Sequence, residues 1–195
     1  MQSTPTDGPL VVAIDSSTTA TKAIVVDAAG SVLALGKRDI ALLSPEQGFG
    51  EHDPRQWWTS TRDAIAEALA GLTPAEKERV AALGITHQRE SFAPFTADGT
   101  PLRNGILWLD IRAADQARRY GTPEIHALSG RPADVTPGLY KMAWLKEHEP
   151  ESLRAADKVT TVSAYIAFCL TGSWVDSAAC ADSLSLSNIR TLDYD

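Results

Sequence analysis

The chain has 195 residues, enough for one domain with a substantial core, and its composition, 44% hydrophobic and 22% charged, is that of an ordinary globular protein. A formal net charge of −7 and a pI near 5.1 argue against a nucleic-acid or anionic-membrane surface as the main partner. No apolar run reaches the ~20 residues of a membrane helix, and Cys169 and Cys180 lack any CxxC or Cys/His spacing, so both read as reduced thiols in a cytoplasmic protein.

Residues 1–9 are polar, carry Asp7 and lack a signal pattern, so a disordered tail is expected there. Leu10 to Ile14 is an apolar run of strand length that ends on Asp15. It passes through Ser16, Ser17, Thr18 and Thr19 and re-enters a β-branched run after Lys22. That is a hairpin with chemistry at its turn. Unobstructed backbone N–H groups, four hydroxyls and a lysine are the donors a phosphate needs, and Asp15 is a hard oxygen ligand suited to Mg²⁺ through water. A plain polar turn with an exposed Asp would contain the same residues.

Asp27 to Gly30 is a turn, and Ser31 to Ala41 a third strand. After a loop dense in Gly and Pro, Asp53 and Pro54 open a helix in which Trp57, Trp58, Ile65 and Leu69 recur at helical spacing. Gly71 to Pro74 breaks it. A short connector over 75–79 then leads to the β run from Val80 to Thr86, which follows a crossover helix and should lie parallel to the first strand. It delivers His87, Gln88, Arg89 and Glu90 to the sheet edge that carries Asp15, where open α/β sheets bind ligands.

Ser91 to Leu102 reads as a hairpin turning at Asp98-Gly99, and Ile106 to Asp110 as an apolar run ending in a carboxylate. Arg112 leads into a helix ending near Tyr120. Helices follow over 122–129 and 137–148, the second burying Leu139, Met142, Ala143 and Leu145. Lys158 to Thr161 is a short strand, and Val162 to Leu170 a buried helix stopped by Gly172. The order predicts an α/β domain with a mixed sheet flanked by helices and small insertions.

Six stretches, in this order, resemble the FGGY carbohydrate kinases. They are the Asp15-to-Lys22 hairpin, Gly50-Glu51-His52-Asp53-Pro54, Ile85-to-Ser91, Ile106-to-Arg112, Lys141-Met142-Ala143-Trp144-Leu145 and Leu170-Thr171-Gly172. That family comprises glycerol kinase, xylulokinase and related enzymes of the actin/hexokinase/Hsp70 superfamily, with a ribonuclease-H-like core. The resemblance implies that residues 10–195 are most of the amino-terminal, substrate-binding domain of a longer kinase, truncated before its carboxy-terminal nucleotide-binding domain and inactive alone. It implies ATP-dependent phosphorylation of a small sugar or polyol, with Mg²⁺, and admits a homodimer of the full-length protein.

Carried over residue by residue, Asp15 holds Mg²⁺, Ser17, Thr18 and Thr19 face the ATP phosphates, and Lys22 lies near the transferred group. Ser17 stands where the family usually has glycine, so its side chain would crowd the phosphates. Gln88, Arg89 and Glu90 match the tripeptide with which glycerol kinase grips hydroxyls, a chemistry suited to a polyol. Trp108 and Asp110 would be a sugar wall and its polar frame, although a core tryptophan and a helix cap fit equally. Asp176 is the candidate general base, with Asp182 as the other. The alternative is a superfamily member that binds nucleotide or sugar without turnover, as a sensor or assembly protein. A carboxylate-metal nuclease would want a basic face that a charge of −7 does not offer.

Overall fold

The structure, a computed structural model, describes residues 7–177, 180 and 183–194. They divide into two compact units: Met1–Ala41 with Arg55–Gln88, and Leu42–Pro54 with Arg89–Asp195. None of the described helices is long and apolar enough to cross a membrane.

The first unit is built on a four-stranded sheet in the order β3-β2-β1-β5. Strand β1 (Leu10–Ser16) pairs antiparallel with β2 (Ala20–Val26), β2 with β3 (Val32–Asp39), and β1 parallel with β5 (Val80–His87). The parallel pairing requires a crossover, supplied by α1 (Pro54–Ala70) and α2 (Pro74–Glu78). Alternation along the strands sends Leu10, Val12, Ile14, Ala23 and Val25 to one face, where Ala64, Ala68 and Leu72 meet them.

The buried stripe of α1 is Trp57, Ser60, Thr61, Ala64 and Ala68. It shares Trp57 with the expected stripe of Trp57, Trp58, Ile65 and Leu69 but leaves the other three only partly covered, because the helix lies almost on the sheet backbone. A Cβ added at Gly36 would stand 2.0 Å from the Ala64 carbonyl oxygen. Only small residues fit at such an approach. Thr73 and Glu76 form a reciprocal capping box that starts α2. At the amino terminus Met1–Thr6 lie outside the described residues, while Gly8, placed in the expected disordered tail, is held by Arg79, whose Nη2 donates to its carbonyl at 2.7 Å.

The second unit carries its own four-stranded sheet, β4-β7-β6-β8, with β4 Glu51–His52, β7 Gly105–Ile106, β6 Phe92–Phe95 and β8 Lys158–Thr161. Its pairings are all antiparallel, so the expected mixed sheet is confined to the first unit. Helices α3 (Ala114–Tyr120), α4 (Pro123–Ser129), α5 (Gly138–His148), α6 (Pro150–Arg154) and α7 (Val162–Thr171) surround a core of Phe92, Ile106, Leu145 and Leu184. A two-stranded ribbon, β9 (Ser187–Asn188) with β10 (Asp193–Tyr194), completes the unit.

The turn at Asp98-Gly99 is present, with Thr96 and Thr100 bonded across it, but its return leg is reduced to a bridge between Phe95 and Pro101. The run from Ile106 to Asp110 pairs as a strand only through Ile106. The face that α5 buries also differs from expectation: Gly138, Tyr140, Lys141 and Leu145 are inside, whereas Leu139, Met142 and Ala143 are only partly covered.

Candidate active site

In the first unit the β1–β2 turn closes on itself. The Ser17 N–H and hydroxyl both donate to the Ala20 carbonyl, at 3.0 and 2.8 Å, and the Thr19 carbonyl accepts from Ile40 N–H at 2.9 Å. Ser17 adopts an ordinary negative φ. It therefore needs no glycine there, and its hydroxyl and N–H are both engaged within the turn. Ser16 and Thr21 are fully buried beneath the turn, Thr21 sharing a 2.8 Å hydrogen bond with Ser60.

The opposite strand faces are left to the charges. Asp15 and Lys22 are direct cross-strand partners, and directly opposed residues project from the same face. Both side chains are exposed, and neither forms a hydrogen bond or ion pair among the described residues. Thr18 is half-buried and Thr19 exposed beside them. Gln88 is positioned by the parallel pairing: its N–H donates to the Ser16 carbonyl at 2.9 Å and its Nε2 to the Ser17 carbonyl at 3.4 Å. With only 8% of its surface exposed, Gln88 braces the turn.

In the second unit Glu90 has φ 60°, a left-handed conformation that costs a non-glycine residue about 1–2 kcal/mol. Its carboxylate forms a 2.8 Å ion pair with Arg131 and is mostly buried. Arg89, one residue earlier, is exposed. Trp108 is 43% exposed, and its backbone is held on both sides. Its N–H donates to Ser91 Oγ at 3.1 Å, while its carbonyl and that of Leu107 accept from Lys141 Nζ at 2.9 and 2.7 Å. Lys141 is fully buried, and burial pulls its ammonium down to about 8, the nearby charges of Asp110 and Glu90 opposing that fall. The sequence signal for Lys141 was a lysine three residues after Gly138 and four before Leu145, on the buried face of α5.

Asp110 lies inside a buried polar network. It is fully buried, with Oδ2 accepting from Gly50 N–H at 2.7 Å and Oδ1 from Arg112 N–H at 2.9 Å. Arg112 grips both its oxygens and reaches Glu51 at 2.7 Å, and Arg103 meets Glu51 at 2.6 Å. The Arg112 guanidinium lies 3.8 Å from the Phe49 ring centroid. Burial works against its charge, but the hydrogen bonds of Asp110 and Glu51 outweigh that and leave its pKa raised. This buried network joins the 48–52 segment to the 107–112 turn.

Asp176 follows the Gly172 stop of α7, and its side chain folds back onto the start of that helix. Its Oδ2 accepts from Thr161 Oγ1 at 2.5 Å and its Oδ1 from Ser163 Oγ at 2.6 Å, and Thr161 is also the side-chain cap of the helix. Each oxygen accepts a hydroxyl hydrogen bond, and the carboxylate lines a cavity with Val159, Thr160 and Cys180. Asp182 lies outside the described residues.

No group of three or more His, Cys, Asp or Glu side chains among the described residues could hold a metal unaided. A lone exposed carboxylate beside hydroxyls suits a divalent ion that keeps most of its waters and takes other ligands from phosphate oxygens.

The model of the N-terminal domain of the FGGY family of carbohydrate kinases matches residues 10–195. The chain belongs to that family. This FGGY domain is 41% identical over 173 residues to a xylulose kinase of Streptomyces coelicolor, covering 85% of this chain and 34% of that protein. It is 35% identical over 199 residues to a glycerol kinase of Methylorubrum extorquens, covering 94% and 39%. Its fold superposes on xylulose kinase from Rhodospirillum rubrum with a TM-score of 0.89 at 26% identity, over 95% of this chain and 39% of that one. Gluconate kinase from Lactobacillus acidophilus gives 0.88 at 27%, over 96% and 38%. The FGGY domain thus spans between a third and two-fifths of the length of these relatives. The mixed sheet of its first unit belongs to the actin/hexokinase-like architecture of those neighbours.

Proposed function

We propose that this FGGY domain is the acceptor-binding part of an ATP-dependent sugar or polyol kinase. The observation that carries the reading is the pair Asp15 and Lys22, opposed on one face at the end of β1 beside a hydroxyl-lined turn, their side chains without partners among the described residues. An exposed carboxylate at a parallel-strand end, without a partner among the described residues, is suited to a ligand. Asp15 would hold a water-shelled Mg²⁺, which when bound neutralises phosphate charge, and Thr18, Thr19 and Lys22 would meet the phosphate oxygens. In the second unit Glu90, kept in place by Arg131, would accept acceptor hydroxyl protons, Arg89 would donate, and the exposed Trp108 ring would stack on the carbon chain.

Its relatives include xylulose, glycerol and gluconate kinases, so the acceptor class proposed is a small ketose, polyol or sugar acid. The general base is not assigned to Asp176, whose oxygens serve Thr161 and Ser163. A non-catalytic sensor is the second reading, resting on Ser17 in place of the family's usual glycine and on Asp176 standing one residue before the family's base position; the turn of the Ser17 hydroxyl to Ala20 weakens only the first.

The test is ADP release by the full-length protein with MgATP across a panel of ketoses, polyols and aldonic acids. Turnover of at least one acceptor is expected, with Asp15→Asn lowering kcat at least ~100-fold. Tight acceptor binding with no ADP release from any of them would replace the kinase with the sensor.

A further inference from the structure

Trp108 sits where the backbone leaves the sheet. Strand β7 ends at Ile106, and beyond it the chain must find new partners for its polar groups while the Trp108 ring remains open to solvent. Those partners are two side chains from distant segments: Ser91 Oγ takes the Trp108 N–H, and Lys141 Nζ donates to the Leu107 and Trp108 carbonyls together. A leucine or methionine at position 141 would bury on α5 without the desolvation of an ammonium. The charge is instead placed where two carbonyl oxygens converge, with the carboxylates of Glu90, Asp110 and Asp134 and the guanidinium of Arg112 in its field. Ser91 is the neighbour of Glu90 in the chain, so the same short segment anchors the tryptophan amide and presents the proposed hydroxyl acceptor.

We propose that Lys141 is a positioning residue for the acceptor wall. By gathering the Leu107 and Trp108 carbonyls while Ser91 holds the Trp108 amide, it fixes the direction in which the indole leaves the backbone and so the plane on which a polyol or sugar stacks. This rests on the assignment of Trp108 to the acceptor.

The experiment uses the full-length protein carrying 5-fluorotryptophan, with the Trp108 fluorine resonance identified by its loss in Trp108→Phe. Lys141→Met keeps the buried stem and removes the donors. The ligand-free Trp108 resonance should shift or broaden. For the best-turned-over acceptor, KM should rise roughly tenfold, while KM for ATP and kcat stay within about twofold. Should Lys141→Met not fold, Ser91→Ala releases the same backbone from its amide side, with the same signature expected. An unchanged Trp108 resonance and acceptor KM in the folded variant overturn the proposal. If the unmodified protein phosphorylates no acceptor, the kinase reading falls on its own, and the ligand-free resonance alone decides whether Lys141 holds the wall.

Discussion

Asp15 and Lys141 carry opposite burdens. Asp15 holds its charge in water with no side-chain partner among the described residues, so Asp15→Asn should leave thermal stability within about 0.5 kcal/mol while it removes turnover. Calorimetry beside the ADP assay checks this, and a large loss of stability would mark Asp15 as structural. Lys141 keeps its charge away from water, and its folded pKa of about 8 lies below the ordinary 10.5. Between those values the unfolded chain binds the proton and the native state does not, so this group makes stability rise with pH from 8 to 10.5. Below 8 both states are protonated and the burial penalty is fully present. The stability of the unmodified protein relative to Lys141→Met should therefore climb across that window, by about 3 kcal/mol at most. Denaturant melts at pH 7.5 and 10, labelled roughly by those pKa limits, measure it, and a flat difference would refute the buried ammonium.

At the scale of elements, the approach of α1 to the sheet is set by Gly36 and Ala64. A methyl at position 36 meets a carbonyl oxygen of a helix backbone, which cannot rotate away as a side chain would. Gly36→Ala should destabilise the first unit by about 3 kcal/mol, visible as a lowered urea midpoint, whereas Gly30→Ala, with open space around it, meets only the cost of its positive φ. At the other end of the chain, Asp176 and Thr161 brace the start of α7. Asp176→Ala should cost about 1 kcal/mol of stability and spare kcat. A collapse of kcat at unchanged stability would return Asp176 to the role of base.

The chain passes between its two units three times, at 41/42, 54/55 and 88/89, so the Gln88-Arg89-Glu90 tripeptide is itself divided. Gln88 belongs to the first unit as a brace for the β1–β2 turn, while Arg89 and Glu90 belong to the second. Because each unit has its own sheet and its own apolar cluster, native-state hydrogen exchange should resolve two protected groups. One would be centred on β1, β2 and β5, the other on β6 and β8. A single exchange class covering both would contradict independent cores.

The hairpin at Asp15, the crossover to a parallel β5, the helices at 54–70, 123–129 and 138–148 and the Gly172 stop were legible in the sequence because periodicity, proline and glycine act locally. The family was legible for the same reason, its motifs being short and ordered. What the chain order left undetermined was the destination of each polar group. Asp110 and Asp176 look from the sequence like ligands, yet they are taken by Gly50 and Arg112 and by Thr161 and Ser163, partners up to sixty residues away. Ser17 and Gln88 are absorbed by the turn they border, and Lys141 is drawn inside by two carbonyls on another segment. Residue type fixes what a side chain can donate or accept. Only the tertiary structure decides whether the protein has already answered it, and so which of the candidates, Asp15 above all, remain for a ligand.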